Sequence, residues 1–292
     1  MPLRWPRLIL DCARQPVLIA GSGRSGSTWL AELLNVRGDH RVIWEPLNEE
    51  QVPLARVIGA RRYLRASDDA PAERAAFARI LTGRTGGAWI DTFNRPGVYR
   101  RRLVKIIRGN LMLGWVRATF PHVPIVFLMR HPGAVIASWA RQGWRQSLSA
   151  EPMLAQPALV EAHGLHAWCS RPRDAMADML LAWCIENAVP LHEVGLGGMC
   201  IVRYEDLKAD PAGQLQRICD WIGRPLDPRM LARIDQPSAL TGEHSPLTRG
   251  EDPATAWQRE LDAHTCRLID EHLARFGLGA YYSETLRSSL PA

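Results

Sequence analysis

The chain is short of lysine: of its 36 Lys and Arg side chains, only Lys105 and Lys208 are lysine. A bias that runs the whole length reads mainly as a genomic preference for arginine and by itself selects no ligand. Cysteine is sparse too. The six, Cys12, Cys169, Cys184, Cys200, Cys219 and Cys266, contain no C-x-x-C pair. That argues against a zinc ribbon or a disulfide framework and for reduced thiols in a cytoplasmic setting. Long apolar runs are missing: Arg4, Arg7, Asp11 and Arg14 interrupt the first residues before a secretory core forms, and no later stretch approaches a membrane span. Neither an internal repeat nor a low-complexity tract is present.

What is present suits a folded enzyme. A chain of 292 residues, 47% hydrophobic and 23% charged, can bury a large core, and residues 1–292 are expected to form one domain. The net charge of +6 fits a polyanionic ligand, but equally nucleic acid or a membrane surface, so charge alone decides nothing. Apolar runs at Pro16 to Ala20, Arg41 to Trp44, Ala88 to Ile90, Leu103 to Ile107, Pro124 to Met129 and Met199 to Val202 read as buried strands, with helical patterns between several of them. This alternation predicts an α/β fold, a central parallel β-sheet flanked by helices. Asp210-Pro211 predicts a helix start, and a late helix is expected from Thr255 to Phe276, closed by Gly277. Residues 48–87 and 143–173 fit the sheet poorly and are expected to cover an acceptor site.

The first strand runs into Gly21-Ser22-Gly23-Arg24-Ser25-Gly26-Ser27-Thr28, followed by Leu30, Leu33 and Leu34 at helical spacing. A glycine-rich turn between a strand and a helix points backbone N–H groups at one anion, and the first helical turn adds partial positive charge. The spacing is that of a P-loop, except that Ser27 stands where an ATPase or GTPase places its lysine, which makes NTP hydrolysis less attractive. Downstream, the strand ending at Met129 leads into Arg130-His131-Pro132 and a helix carrying Ser138. An arginine at the carboxyl end of a strand and a serine about two turns later can converge on a second phosphate.

With both loops in place the sequence resembles the sulfotransferase family that uses 3′-phosphoadenosine 5′-phosphosulfate (PAPS). The stretch Arg24 to Trp29 is similar to that family's 5′-phosphosulfate loop, and Arg130 with Ser138 to its 3′-phosphate motif. Arg203-Tyr204-Glu205-Asp206-Leu207 resembles a stretch that follows a central strand in many members. The resemblance implies an α/β fold related to P-loop nucleotide hydrolases and kinases. It also implies PAPS as donor, adenosine 3′,5′-bisphosphate (PAP) as product, and no metal. Gly23, Arg24, Ser25, Gly26, Ser27, Thr28, Trp29, Arg130 and Ser138 would hold the donor, and Arg249, in a loop before the last helix, is a further candidate for the 3′-phosphate.

Many cytosolic members place a histidine base shortly after a lysine-bearing strand. Here that strand reads Leu103-Val-Lys105-Ile-Ile-Arg108, and no histidine follows. Instead Glu32-Leu33-Leu34-Asn35 up to Glu45-Pro46-Leu47 resembles carbohydrate sulfotransferases, in which the matching glutamate is the proposed base. Glu45 is therefore the expected base and Arg24 is expected beside the leaving group, while Lys105 either lies near the bridging oxygen or ends its strand in a salt bridge. The acceptor expected is a hydroxyl on a glycan or small metabolite, not a nucleic acid. Two readings compete: a P-loop small-molecule kinase, if Asp206 held magnesium, and a non-catalytic nucleotide-binding protein. His163-x-x-His166-x-x-Cys169 has ligand-like spacing but reads as a polar loop, and Arg100-Arg101-Arg102 as a solvated face that an acidic glycan could use.

Overall fold

The computed structural model describes residues 9–11, 15–143 and 149–282. The early residues Arg4, Arg7, Cys12 and Arg14 therefore lie outside the described residues, as does 144–148 within the second expected cover. The strands are β1 (Ile9–Asp11), β2 (Pro16–Gly21), β3 (His40–Trp44), β4 (Gly97–Tyr99), β5 (Arg101–Ile106), β6 (Ile125–Met129) and β7 (Cys200–Arg203). Five form a sheet in the order β3-β5-β2-β6-β7, every pair parallel. β1 and β4 form a separate parallel pair.

The continuous apolar runs are explained by helices on both faces of the sheet. Successive residues of β2 point to opposite sides. Leu18 and Ala20 join Ile43, Val104 and Phe127 in a core with Trp115, Trp139 and Trp183. Val17 and Ile19 join Leu103, Val126 and Val202 under the helices Ser27–Leu34 and Pro211–Trp221. As expected, Asp210 caps the second of these, its side chain accepting from Gly213 N at 3.0 Å. Among the described residues no helix is long and apolar enough to cross a membrane.

Three expectations change. Ala88 to Ile90 is a turn: Ile90 O accepts from Trp44 N at 3.1 Å, so the segment covers the edge of β3 without extending the sheet. The late helix runs from Ala263 to Arg275, begun by Asp262, whose side chain accepts from Thr265 N at 2.7 Å. Residues 256–259 form a separate short 3₁₀ turn, held where Trp257 stacks on His131 with centroids 4.2 Å apart. Gly277 closes the helix with φ 67°. Finally, Arg102 is not solvated: it is buried, donating to Asp11 at 2.8 and 2.7 Å and to Leu81 O at 2.6 Å.

Residues 48–87 hold the helices Ala55–Ile58 and Pro71–Leu81, and residues 143–173 hold Glu151–Leu154, Pro157–Ala162 and His166–Cys169. Tyr63, Met153 and Leu159 bring the two segments together against Leu181 and Ile185 of the helix Ala175–Glu193. That helix is buried nearly all round from Met179 to Asn187, so it carries no narrow apolar stripe to announce it.

Leu18 lies wholly buried in the central strand. Leu18→Ala removes packed methyl groups that neighbouring strands cannot collapse to replace, and is expected to lower stability by about 2–5 kcal/mol in urea unfolding at unchanged m-value.

Candidate functional site

The turn after β2 is shaped by close approach. A Cβ on Gly21 would meet Leu128 O at 2.3 Å, and one on Gly26, where φ is 96°, would meet the Tyr204 ring at 2.9 Å. Ser25 N bonds Ser22 O at 3.2 Å and Leu30 N bonds Gly26 O at 3.0 Å. Gly26 precedes the helix with no side chain to cap it. The N–H groups of the first turn thus lie at the sheet's carboxyl edge, where an anion is best stabilised.

The second motif meets the first directly. Arg24 Nε donates to Ser138 Oγ at 3.0 Å, and Arg130 Nη1 donates to Arg24 O at 3.2 Å. Arg130 lies 4.4 Å over the Tyr204 ring and also donates to Pro253 O. Its buried Nε has no partner among the described residues. Burial lowers the pKa of both guanidinium groups; for Arg24, Arg130 and Arg141 add repulsion. Crowded cations around a glycine cradle and a buried N–H without an acceptor form a site that fits a doubly phosphorylated nucleotide.

On the opposite side stands Glu45, just beyond β3. Its carboxylate accepts from Lys105 Nζ at 2.7 Å and from Arg108 Nη1 at 2.8 Å. Its backbone is left-handed, φ 37°, with Glu45 N donating to Lys105 O at 3.0 Å and Trp89 Nε1 donating to Glu45 O at 3.3 Å. Lys105 is buried 4.0 Å over the Trp44 ring. Burial alone raises the Glu45 pKa, but the two cations overcome it and hold the carboxyl below its ordinary range. Burial lowers the Lys105 pKa despite Glu45.

One cleft of about 230 Å³ gathers Gly23, Arg24, Gly26, Ser27, Thr28, Trp29, Glu45, Lys105, Arg130 and Ser138. Ser25 is buried beneath the turn, its Oγ without a partner among the described residues. Arg249 is not in the cleft. It pairs with Glu260 at 3.0 Å and Glu251 at 3.2 Å in a separate surface depression. A third guanidinium lines the cleft beside Arg24 and Arg130: that of Arg141, which is paired with Glu260 and also borders the depression that holds Arg249. Arg141 lies three residues after Ser138, a helical spacing that places them on one face and could have pointed to it. Tyr204 and Lys208, four apart, also line the cleft, so both lysines of the chain do.

No described residue of 48–87 or 143–173 lines the cleft, whereas eleven residues between Ile234 and Leu247 do. Asp206 is also outside it, paired with Arg203 at 2.7 Å. His163 faces Glu193 at 3.3 Å, and Cys169 Sγ turns to Leu165 O at 3.7 Å, so this stretch does not converge. No cluster of three potential metal ligands occurs among the described residues.

Because folded Glu45 binds its proton less tightly than an unfolded glutamate, the clamp's contribution is fully present above the unfolded pKa of about 4.5 and is lost as pH falls through the lower folded value. Glu45→Gln is expected to flatten the loss of thermal stability below about pH 4.5 relative to wild type, read from unfolding midpoints across an acid pH series.

No curated protein matches the chain significantly. Solved structures similar to it include the sulfotransferase domain from the Synechococcus PCC 7002 olefin synthase, at 18% identity over 92% of this chain and 98% of that one, TM-score 0.47. Mouse sulfotransferase SULT7A1 complexed with PAP is similar at 14% identity over 96% and 88%, TM-score 0.49. Sulfotransferase STF1 from Mycobacterium tuberculosis H37Rv is similar at 15% identity over 90% and 76%, TM-score 0.44. The family model described as the sulfotransferase family matches residues 16–228, a span that takes in the glycine turn, Glu45, Lys105, Arg130 and Ser138, and the chain belongs to that family.

Proposed function

We propose that the protein transfers a sulfuryl group from PAPS to a hydroxyl of a carbohydrate or hydroxylated small molecule. The observation that carries this reading is the convergence of the glycine turn, the Arg130 and Ser138 pair, and the Glu45 and Lys105 pair on one cleft. PAPS, when bound, supplies the activated sulfuryl group. The N–H groups of residues 24–28 and the Arg24 side chain stabilise negative charge gathering on the departing 5′-phosphate oxygen. Arg130, with Ser138, holds the 3′-phosphate, fixing the nucleotide so that the acceptor attacks in line.

Glu45 accepts the proton of the acceptor hydroxyl as the new O–S bond forms and the S–O bond to the 5′-phosphate breaks. Its lowered pKa keeps it ionised at neutral pH, while Lys105, 2.7 Å away, lies between base and turn to meet the leaving oxygen. The kinase reading is weaker, because Ser27 replaces the phosphate-reaching lysine and Asp206 is engaged by Arg203 outside the cleft.

Arg130→Ala is expected to weaken binding of adenosine 3′,5′-bisphosphate by about 2 kcal/mol, roughly thirtyfold by calorimetry. Unchanged affinity contradicts the role of Arg130. Glu45→Gln is expected to slow PAPS turnover on the order of 10²- to 10⁴-fold over a panel of sugar, phenol and alcohol acceptors, with nucleotide affinity unaltered. Turnover equal to wild type contradicts the role of Glu45.

A further inference from the structure

Between the base and the donor turn lies a buried polar chain that neither motif accounts for. Glu186 and Asn187 are consecutive on the helix Ala175–Glu193, both essentially inaccessible and continuing a buried run that holds Leu181, Trp183, Cys184 and Ile185. Packing at such positions is served by apolar side chains, and burying a carboxylate is costly unless its charge is used. Consecutive helical residues point about 100° apart, so the two reach different neighbours.

Asn187 Nδ2 donates to Ser22 Oγ at 3.0 Å and to Trp183 O at 2.7 Å. Ser22 belongs to the glycine turn and its carbonyl accepts from Ser25 N. Glu186 accepts from Arg61 Nε at 2.6 Å. Arg61 has a left-handed backbone, φ 54°, which costs a non-glycine residue free energy unless its side chain is held. In that conformation Arg61 N donates to Arg108 O at 2.7 Å. Arg108 in turn clamps Glu45 at 2.8 Å. Asn110 Nδ2 donates to Glu186 O at 3.1 Å, tying the same 108–110 stretch to the helix a second time.

We propose that Glu186 and Asn187 are positioning residues that hold the Glu45 carboxylate and the donor turn in fixed relation, each gripping one side of the cleft from a shared helical turn. The Glu186 half rests on the reading of Glu45 as proton acceptor; the Asn187 half does not. Releasing Glu186 frees Arg61 and lets Arg108 leave Glu45, which disturbs proton transfer while the nucleotide site stays intact. Releasing Asn187 loosens Ser22 and the turn itself.

The test compares Glu186→Gln, Asn187→Ala and Glu45→Gln for thermal midpoint, calorimetric affinity for adenosine 3′,5′-bisphosphate, and PAPS turnover with water and with the acceptor panel. Glu186→Gln is expected to slow turnover about tenfold or more with nucleotide affinity within about threefold of wild type, and Asn187→Ala to weaken nucleotide binding about tenfold. If Glu186→Gln does not fold, the double variant Arg61→Asn with Glu186→Gln leaves no uncompensated charge and tolerates the left-handed backbone; the same split is expected. Wild-type turnover in the Glu186 variants beside an inactive Glu45→Gln overturns the inference, as does wild-type affinity in Asn187→Ala, or a parallel loss of midpoint, affinity and turnover in every variant. Full activity in Glu45→Gln overturns instead the reading of Glu45 and with it the Glu186 half, and is told apart because Asn187→Ala then still loses affinity.

Discussion

The turn from Gly21 to Gly26 is pressed between its neighbours, with Leu128 O of β6 on one side and the Tyr204 ring beyond β7 on the other. The rest of the site follows from that confinement. Because all five strands of the main sheet are parallel, their carboxyl ends open on a single edge. Strand order then sets the order of chemical groups: Glu45 after β3, Lys105 and Arg108 at the end of β5, the turn after β2, Arg130 after β6, and Tyr204 after β7. Glu45, Lys105, the glycine turn and Arg130 therefore lie in sequence across the cleft.

The site concentrates unfavourable features that the surrounding fold must sustain. Among the described residues, the three non-glycine positions with positive φ are Arg24, Glu45 and Arg61, and each belongs to the cleft or to the chain of contacts behind it. Strain of this kind persists where packing and hydrogen bonds over-determine the backbone. Electrostatics adds to it. Arg24, Arg130, Arg141 and Lys105 line the same cleft, and burial depresses the pKa values of Arg24, Arg130 and Lys105. A polyanionic ligand relieves that repulsion, and Glu45 offsets it at the β3 end, where Lys105 and Arg108 keep its carboxyl ionised.

Much of this was legible in the sequence because it is local. The glycine turn, the arginine ending a buried strand and the serine two turns later are spacings within short segments, and alternation of apolar runs with helical patterns specified the parallel sheet. What was not legible depends on distant parts of the chain. Arg249 looked equivalent to a phosphate ligand by position, yet Glu251 and Glu260 hold it outside, and Arg141 lines the cleft in its place. Residues 234–247 line the cleft but carry no periodic signal, and the packing of 48–87 and 143–173 against the helix Ala175–Glu193 brings together segments far apart in the chain. Arg102 shows the same limit: in a run of three arginines, only the fold reveals that one finds Asp11 in the interior.

Both ends of a nucleotide carrying a 3′-phosphate are proposed to be held in the one cleft. Calorimetric titration of the intact protein with adenosine 3′,5′-bisphosphate, set against MgATP under the same conditions, is the decisive measurement. Saturable binding of the bisphosphate, weakening as salt rises, is expected, with ATP binding far more weakly. Tight binding of MgATP with no response to adenosine 3′,5′-bisphosphate contradicts that proposal.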